Sequence, residues 1–205
     1  MLGERRAEIR AREAVRRLQR PALARLGDLD QAALRVLRTR VHGPVPDAVM
    51  KALGAAGEWG AVWAMTGLAA AALDPGGRRR WAVAAGVGPV AIGVNFAIKV
   101  TVGRQRPLIE EHPPLARAPT KLSFPSAHAT SSLAAATALS RVAPAGRPVL
   151  YGLAAAICLS RPYLGMHYPS DVLAGAALGA ALGRLVPGLD GTRAAAVPVA
   201  AATRS

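Results

Sequence analysis

The sequence predicts an all-α protein, an integral-membrane helical bundle of about five transmembrane helices preceded by a basic amphipathic N-terminal helical segment. Three observations lead there. The 205-residue chain is 52% hydrophobic, it breaks after Asp47 into a series of apolar runs separated by Gly, Pro and Arg, and its formal net charge of +14 lies mostly outside those runs. A soluble domain this basic points to nucleic acid. A mean hydropathy of +0.25 and long Ala/Val/Leu/Gly stretches point instead to a membrane bilayer as partner, so no nucleic acid is expected. The apolar content excludes disorder. A single cysteine, Cys158, excludes an internal disulfide and a CxxC-type zinc site, and neither metal nor cofactor is expected.

Residues 1–48 read as the basic N-terminal segment. Met1 to His42 holds eleven arginines and five acids and lacks the short apolar core and cleavage site of a signal peptide. Ile9, Ala14, Leu18 and Leu23 within Ala7 to Leu26, and Leu34, Val36 and Leu37 within Leu29 to Val41, recur at roughly helical spacing. Such helices either lie on anionic lipid headgroups or form a solvated, frayed tail. Gly43, Pro44 and Pro46 mark the boundary.

Residues 49–187 read as the membrane-embedded domain. Ala55 to Leu73 is the first apolar run, stopped by Asp74 to Gly77 and the cluster Arg78, Arg79, Arg80. Trp81 to Val102 is the second, long enough to cross a hydrocarbon core of about 30 Å. Ala127 to Val142, Val149 to Leu159 and Val172 to Val186 are shorter and richer in alanine and glycine. Alone, each equally describes a buried helix. Together they leave too little polar sequence to cover a soluble globule. Trp59, Trp63 and Trp81, near segment ends, suit interfacial anchoring, and Gly175, Gly179 and Gly183 would let helices approach closely in lipid. Residues 188–205 read as a flexible C-terminal tail. The positive-inside tendency of Arg78 to Arg80, Arg141 and Arg147 directs the opposite face outward, whereas the arginine-rich N-terminus directs that same face inward.

The polar residues cluster at segment ends. Lys99, Arg106 and Pro107 fall within KVTVGRQRP, Ser126 and His128 within FPSAH, and Ser160, Arg161, His167 and Asp171 within SRPYLGMHYPSD. If the helices run up and down, these clusters share one face of the membrane and can converge. Lysine, two arginines, a serine and a helix N-terminus suit a multiply negative oxyanion such as phosphate. Two histidines add covalent phosphoryl transfer, one attacking phosphorus and the other protonating the leaving alkoxide. A carboxylate on the attacking imidazole would fix its tautomer and take up the developing positive charge.

The three clusters resemble the motifs K-x6-R-P, P-S-G-H and S-R-x5-H-x3-D of the phosphatidic acid phosphatase type 2 and vanadium haloperoxidase superfamily. They match in order and spacing at Lys99 to Pro107, Pro125 to His128 and Ser160 to Asp171, with Ala127 in place of the family's glycine. The resemblance implies that His167 is the nucleophile that becomes a phosphohistidine, that Asp171 orients it, and that His128 protonates the leaving group. It implies that Lys99, Arg106, Ser126, Arg161 and the Ala127 amide bind the substrate phosphate. It further implies a metal-independent membrane phosphatase acting on a lipid phosphate, of the phosphatidate, phosphatidylglycerophosphate or polyprenyl phosphate type, in the bacterial plasma membrane. Related actinobacterial proteins act on decaprenyl-phosphoryl-phosphoribose. A vanadate-dependent haloperoxidase and a non-catalytic lipid-phosphate-binding protein are the alternatives. Arg104, in the loop beside the motifs, is a candidate substrate contact. Glu58 stands near a segment end without an assignment, and His42 and His112 fall outside every motif.

Overall fold

The computed structural model of the protein describes residues 25–109 and 112–190. Seven helices make up the described chain: α1 (residues 25–40), α2 (Pro44–Ala56), α3 (Ala61–Leu73), α4 (Arg78–Val102), α5 (Ala127–Val142), α6 (Arg147–Tyr163) and α7 (Pro169–Leu185). Short 3-10 turns at Glu58–Gly60 and Pro144–Gly146 join neighbours, and the one β-type pairing among the described residues is an isolated bridge between Gln105 and Leu122. The all-helical expectation holds. The first of the expected basic helices, Ala7 to Leu26, lies almost wholly outside the described residues, as does the tail from residue 191.

Helix α5 forms the axis of the bundle and packs against α3, α4, α6 and α7. Its sequence AHATSSLAAATALSRV makes this possible, because small side chains on every side let neighbours close in all round. Twelve of its sixteen residues are buried. Its hydroxyls are used as joints: Trp63 Nε1 donates to Ser132 Oγ at 3.0 Å, Asn95 Nδ2 donates to Thr130 Oγ1 at 2.8 Å, and Thr137 Oγ1 lies 3.0 Å from the Tyr151 hydroxyl. The α7 glycines face α5 as the sequence suggested. A Cβ added at Gly175 would lie 2.6 Å from the Ser126 carbonyl oxygen, one at Gly183 would lie 2.5 Å from that of Ala134, and one at Gly179 would overlap that of Thr130. At the far end, Arg141 Nη1 donates to the carbonyls of Gly183, Arg184 and Val186 and so caps α7.

Among the described residues α4 is the one helix that is long and apolar enough on its own to cross a membrane. The others have 13 to 17 residues, short of the roughly 20 a full span needs. Large apolar side chains stand exposed around the outside, among them Met65 and Leu68 on α3, Val90 and Phe96 on α4, Leu159 on α6 and Leu173 on α7.

Four expectations change. The apolar stretch Ala55 to Leu73 is not one helix: Trp59 and Gly60 take left-handed backbone, φ 54° and 72°, which ends one helical path and starts α3 at Ala61. Trp63 is no interfacial anchor, because its ring fills the core and its N–H is spent on Ser132. Helix α1 does not bury the face carrying Val36, which is exposed. It buries Asp30, Leu34 and Arg38, four residues apart on one stripe, against the protein. The start of the expected tail is packed, since Leu189 joins the main core and Asp190 pairs with Arg141.

Candidate active site

The end of α4, the start of α5, the end of α6 and the start of α7 meet at one end of the bundle, and the three motifs meet with them. The backbone N–H of Ser126 donates to the Asp171 carbonyl at 3.0 Å, tying the first turns of α5 and α7 together. Lys99, in the last turn of α4, donates to the carbonyls of Leu122, Ser123 and Pro125 at 3.3, 3.1 and 2.9 Å. Its three donors hold the incoming loop, so toward the cavity it offers positive charge rather than a free N–H.

His167 sits in the tight turn between α6 and α7 and is 2% exposed. Arg106 Nη1 donates to its Nε2 at 3.1 Å and to the Met166 carbonyl at 2.6 Å, while Arg106 Nε is held by the Thr120 carbonyl. Accepting from Arg106 makes Nε2 the lone-pair nitrogen and leaves the ring proton on Nδ1, which faces Asp171 Oδ2 at 3.7 Å. Burial, seconded by Arg106 and Arg161, holds the His167 pKa well below the ordinary 6.5 against the pull of Asp171. The ring is therefore neutral, and its reactive lone pair points at a cationic group.

A cavity of about 360 Å³ opens over this nitrogen, lined by Lys99, Arg106, His128, Arg161 and His167 among others. Arg161, in the last turn of α6, is 5% exposed, and its Nε has no hydrogen-bond partner; the Ser126 hydroxyl is likewise buried and unpartnered. Buried polar groups left so are costly unless an anion completes them. Ala127 opens α5 in ordinary helical backbone, so the Cβ that replaces the family's glycine brings no strain there. The N–H groups of that first turn are the orphan donors of a helix start.

His128, in the same turn, donates from Nε2 to the Gly54 carbonyl at 3.0 Å and faces Glu58 Oε2 at 3.5 Å. The bond to His128 holds the Glu58 carboxyl below its ordinary 4.5. Glu58 thus gains a partner that sequence alone did not give it. Seventy residues separate it from His128, and no spacing rule connects them. The structure also redirects Arg104. Rather than lining the cavity, its guanidinium stacks 4.1 Å over the Tyr168 ring and pairs with Asp30 and Asp171 at 2.8 Å each. His42 pairs with Asp47, away from the site.

Residues 81–194 match the family model described as the PAP2 superfamily. The chain belongs to the PAP2 superfamily. Among curated PAP2 proteins it is 42% identical over 149 residues to the decaprenylphosphoryl-5-phosphoribose phosphatase of Mycobacterium tuberculosis H37Rv, covering 71% of this chain and 81% of the relative. The protein of the same name from Mycolicibacterium smegmatis is 42% identical over 129 residues, 61% of this chain and 68% of the relative. Two solved PAP2 folds superpose on it. One is the transmembrane PAP2 type phosphatidylglycerolphosphate phosphatase of Bacillus subtilis, with TM-score 0.65 and 22% identity over 78% of this chain and 83% of that one. The other is Aquifex aeolicus LpxE, with TM-score 0.62 and 23% identity over 76% of this chain and 93% of that one.

Proposed function

We propose that this PAP2 enzyme is a membrane lipid phosphatase whose substrate is a polyprenyl-linked phosphosugar, of the kind for which its mycobacterial relatives are named. The observation that supports it is the site itself: a neutral, lone-pair-bearing His167 that lines one cavity together with Arg106, Arg161 and His128. In this reading His167 Nε2 attacks phosphorus while the bond from phosphorus to the ester oxygen breaks. His128 gives its proton to the departing alkoxide, and water then hydrolyses the phosphohistidine with His128 taking the proton back. Asp171 holds the Nδ1 proton and offsets the charge that the ring acquires. Arg106, Arg161, Ser126, the Ala127 amide and the charge of Lys99 bind the phosphate oxygens, and no metal takes part.

The remaining features fit a sugar phosphate on a long lipid. Glu58, Arg117 and Thr120 line the cavity with groups suited to sugar hydroxyls, while Trp59, Ile92 and Phe96 give it an apolar side. Trp59 and Phe96 are 68% and 53% exposed, placing apolar surface where a polyprenyl tail leaves for the bilayer. In this reading α4 crosses the bacterial plasma membrane and the shorter α3, α5, α6 and α7 complete a five-helix membrane bundle around it, their exposed apolar side chains meeting lipid. Residues 49–187 form the membrane-embedded unit, against which Asp30 of the basic segment 1–48 and the residues Leu189 and Asp190 are packed.

The test is phosphate release in detergent and EDTA from decaprenylphosphoryl-5-phosphoribose, phosphatidate, phosphatidylglycerophosphate and polyprenyl pyrophosphate, with His167→Ala as control. Preferred release from the phosphosugar is expected, together with an acid-labile phosphoenzyme that H167A lacks. Equal release by wild type and H167A would remove the proposed nucleophile, and preference for the pyrophosphate would overturn the substrate assignment.

A further inference from the structure

We propose that helix α1 is a working part of this phosphatase site and that Asp30 and Arg104 are positioning residues for Asp171 and, through it, His167. The inference rests on the reading of His167 as the nucleophile. Asp30 is 4% exposed and Asp171 is fully buried. Asp30 Oδ1 accepts from the Ser170 N–H at 2.9 Å, and Oδ2 accepts from the Ser170 hydroxyl and from Arg104 Nη2 at 2.8 Å. Arg104 Nη1 then donates to Asp171 Oδ1 and to the Ser170 hydroxyl, each at 2.8 Å. Asp171 Oδ2 accepts from the Tyr168 N–H at 2.9 Å and turns to His167 Nδ1. A continuous ladder of hydrogen bonds thus runs from α1 to Asp171, whose Oδ2 stands 3.7 Å from the buried, otherwise unpartnered Nδ1 of His167.

Each rung has a physical task. A carboxylate with no solvent contact stays ionised only beside fixed positive charge and hydrogen-bond donors, and Arg104 with the Tyr168 amide supplies both to Asp171. Arg104 would be free to swing if Asp171 were its sole partner. Asp30 grips its other terminal nitrogen, and the Tyr168 ring covers its face. Asp30 also fastens the first turn of α7, from which Asp171 projects, by two bonds to Ser170. Asp30 lies outside residues 81–194, which match the family, so this support comes from a part of the chain that the family match does not include.

The experiment measures kcat and KM for a lipid phosphate monoester with the full-length protein in detergent, using D30N, D30E, S170A and the control D28N, whose side chain is exposed on the same helix. D30N is expected to lower kcat at least tenfold with KM within twofold, S170A to lower kcat severalfold with both charges intact, and D30E to restore most of the D30N loss. D28N should match wild type. S170A decides the matter if D30N does not fold. D30N and S170A both within twofold of wild-type kcat, KM rising in step with the fall in kcat, or a D28N loss equal to that of D30N would each overturn the proposal. A wild type no faster than H167A would overturn instead the reading of the nucleophile on which it stands.

Discussion

Replacing Gly175 by alanine should slow the enzyme by moving its parts rather than removing any of them. The new Cβ would lie 2.6 Å from the Ser126 carbonyl oxygen, where ordinary contact begins at 3.4 Å. The obstacle is backbone on a buried helix, so α5 and α7 must part there by about 0.8 Å. Ser126 and Asp171 sit at that level, joined by the 3.0 Å bond between their backbones. Stretching it separates the Ser126 hydroxyl and the helix start of α5 from the His167–Asp171 pair of the α7 side. Misplacement on this scale costs up to about a hundredfold in turnover. Gly183→Ala is the matched control. Its Cβ would lie 2.5 Å from the Ala134 carbonyl oxygen and 2.7 Å from Thr137 Cβ, a steric insult at least as large, but eight residues down the same helix, about 12 Å further from the site than Gly175. Both variants should lose about 1–3 kcal/mol of stability, read as lowered melting temperature in detergent. Only G175A should lose kcat by tens of fold. Equal kcat losses in the two variants, or a folded G175A with wild-type turnover, would refute the argument that this contact sets the site geometry.

Three further outcomes follow from the site. H128A should lose turnover of an alkyl phosphate by about 10²–10⁴-fold while p-nitrophenyl phosphate, whose leaving group needs no proton, is hydrolysed far less impaired; E58Q should show the same selectivity in weaker form, and uniform losses on both substrates would contradict the role of His128. R161K should reduce kcat/KM by about tenfold or more without unfolding the protein, because an ammonium cannot reproduce the planar two-pronged grip on phosphate oxygens. Because burial holds His167 below its ordinary value of 6.5, the unfolded chain takes up a proton that the folded site refuses. Stability is therefore retained in full above pH 6.5 and lost as pH falls below it, and H167A should show a shallower fall in melting temperature over that window than wild type.

The sequence spoke most clearly where chemistry depends on local order. Lys99, Arg106, Ser126, His128, Arg161, His167 and Asp171 stand at fixed spacings at helix ends, and up-and-down packing is enough to bring helix ends together. The close approach of α7 was equally readable, because Gly175, Gly179 and Gly183 recur every four residues on one face. What stayed hidden depends on partners distant in the chain. Glu58 meets His128 across a turn whose left-handed Trp59 no pattern announces. Trp63 looks like a residue for the membrane interface until Ser132 is seen opposite it. Helix α1 reads as amphipathic by its Leu and Val, yet the stripe it buries holds Asp30 and Arg38. A charge paired inside a protein and a charge facing water look alike in sequence.

The pairing of Asp30 with Ser170, 140 residues further along, bears on when the molecule becomes an enzyme during its own synthesis. Helix α1 leaves the ribosome early, but the turn it clasps is made only after α2 to α6 have followed it. His167 and Asp171, the proposed nucleophile and its partner, follow α6, so no nascent fragment ending before α7 holds both of them. On that assignment phosphate chemistry is withheld until α7 is in place, and a chain cut between α6 and α7 would regain activity only when its two pieces are brought back together.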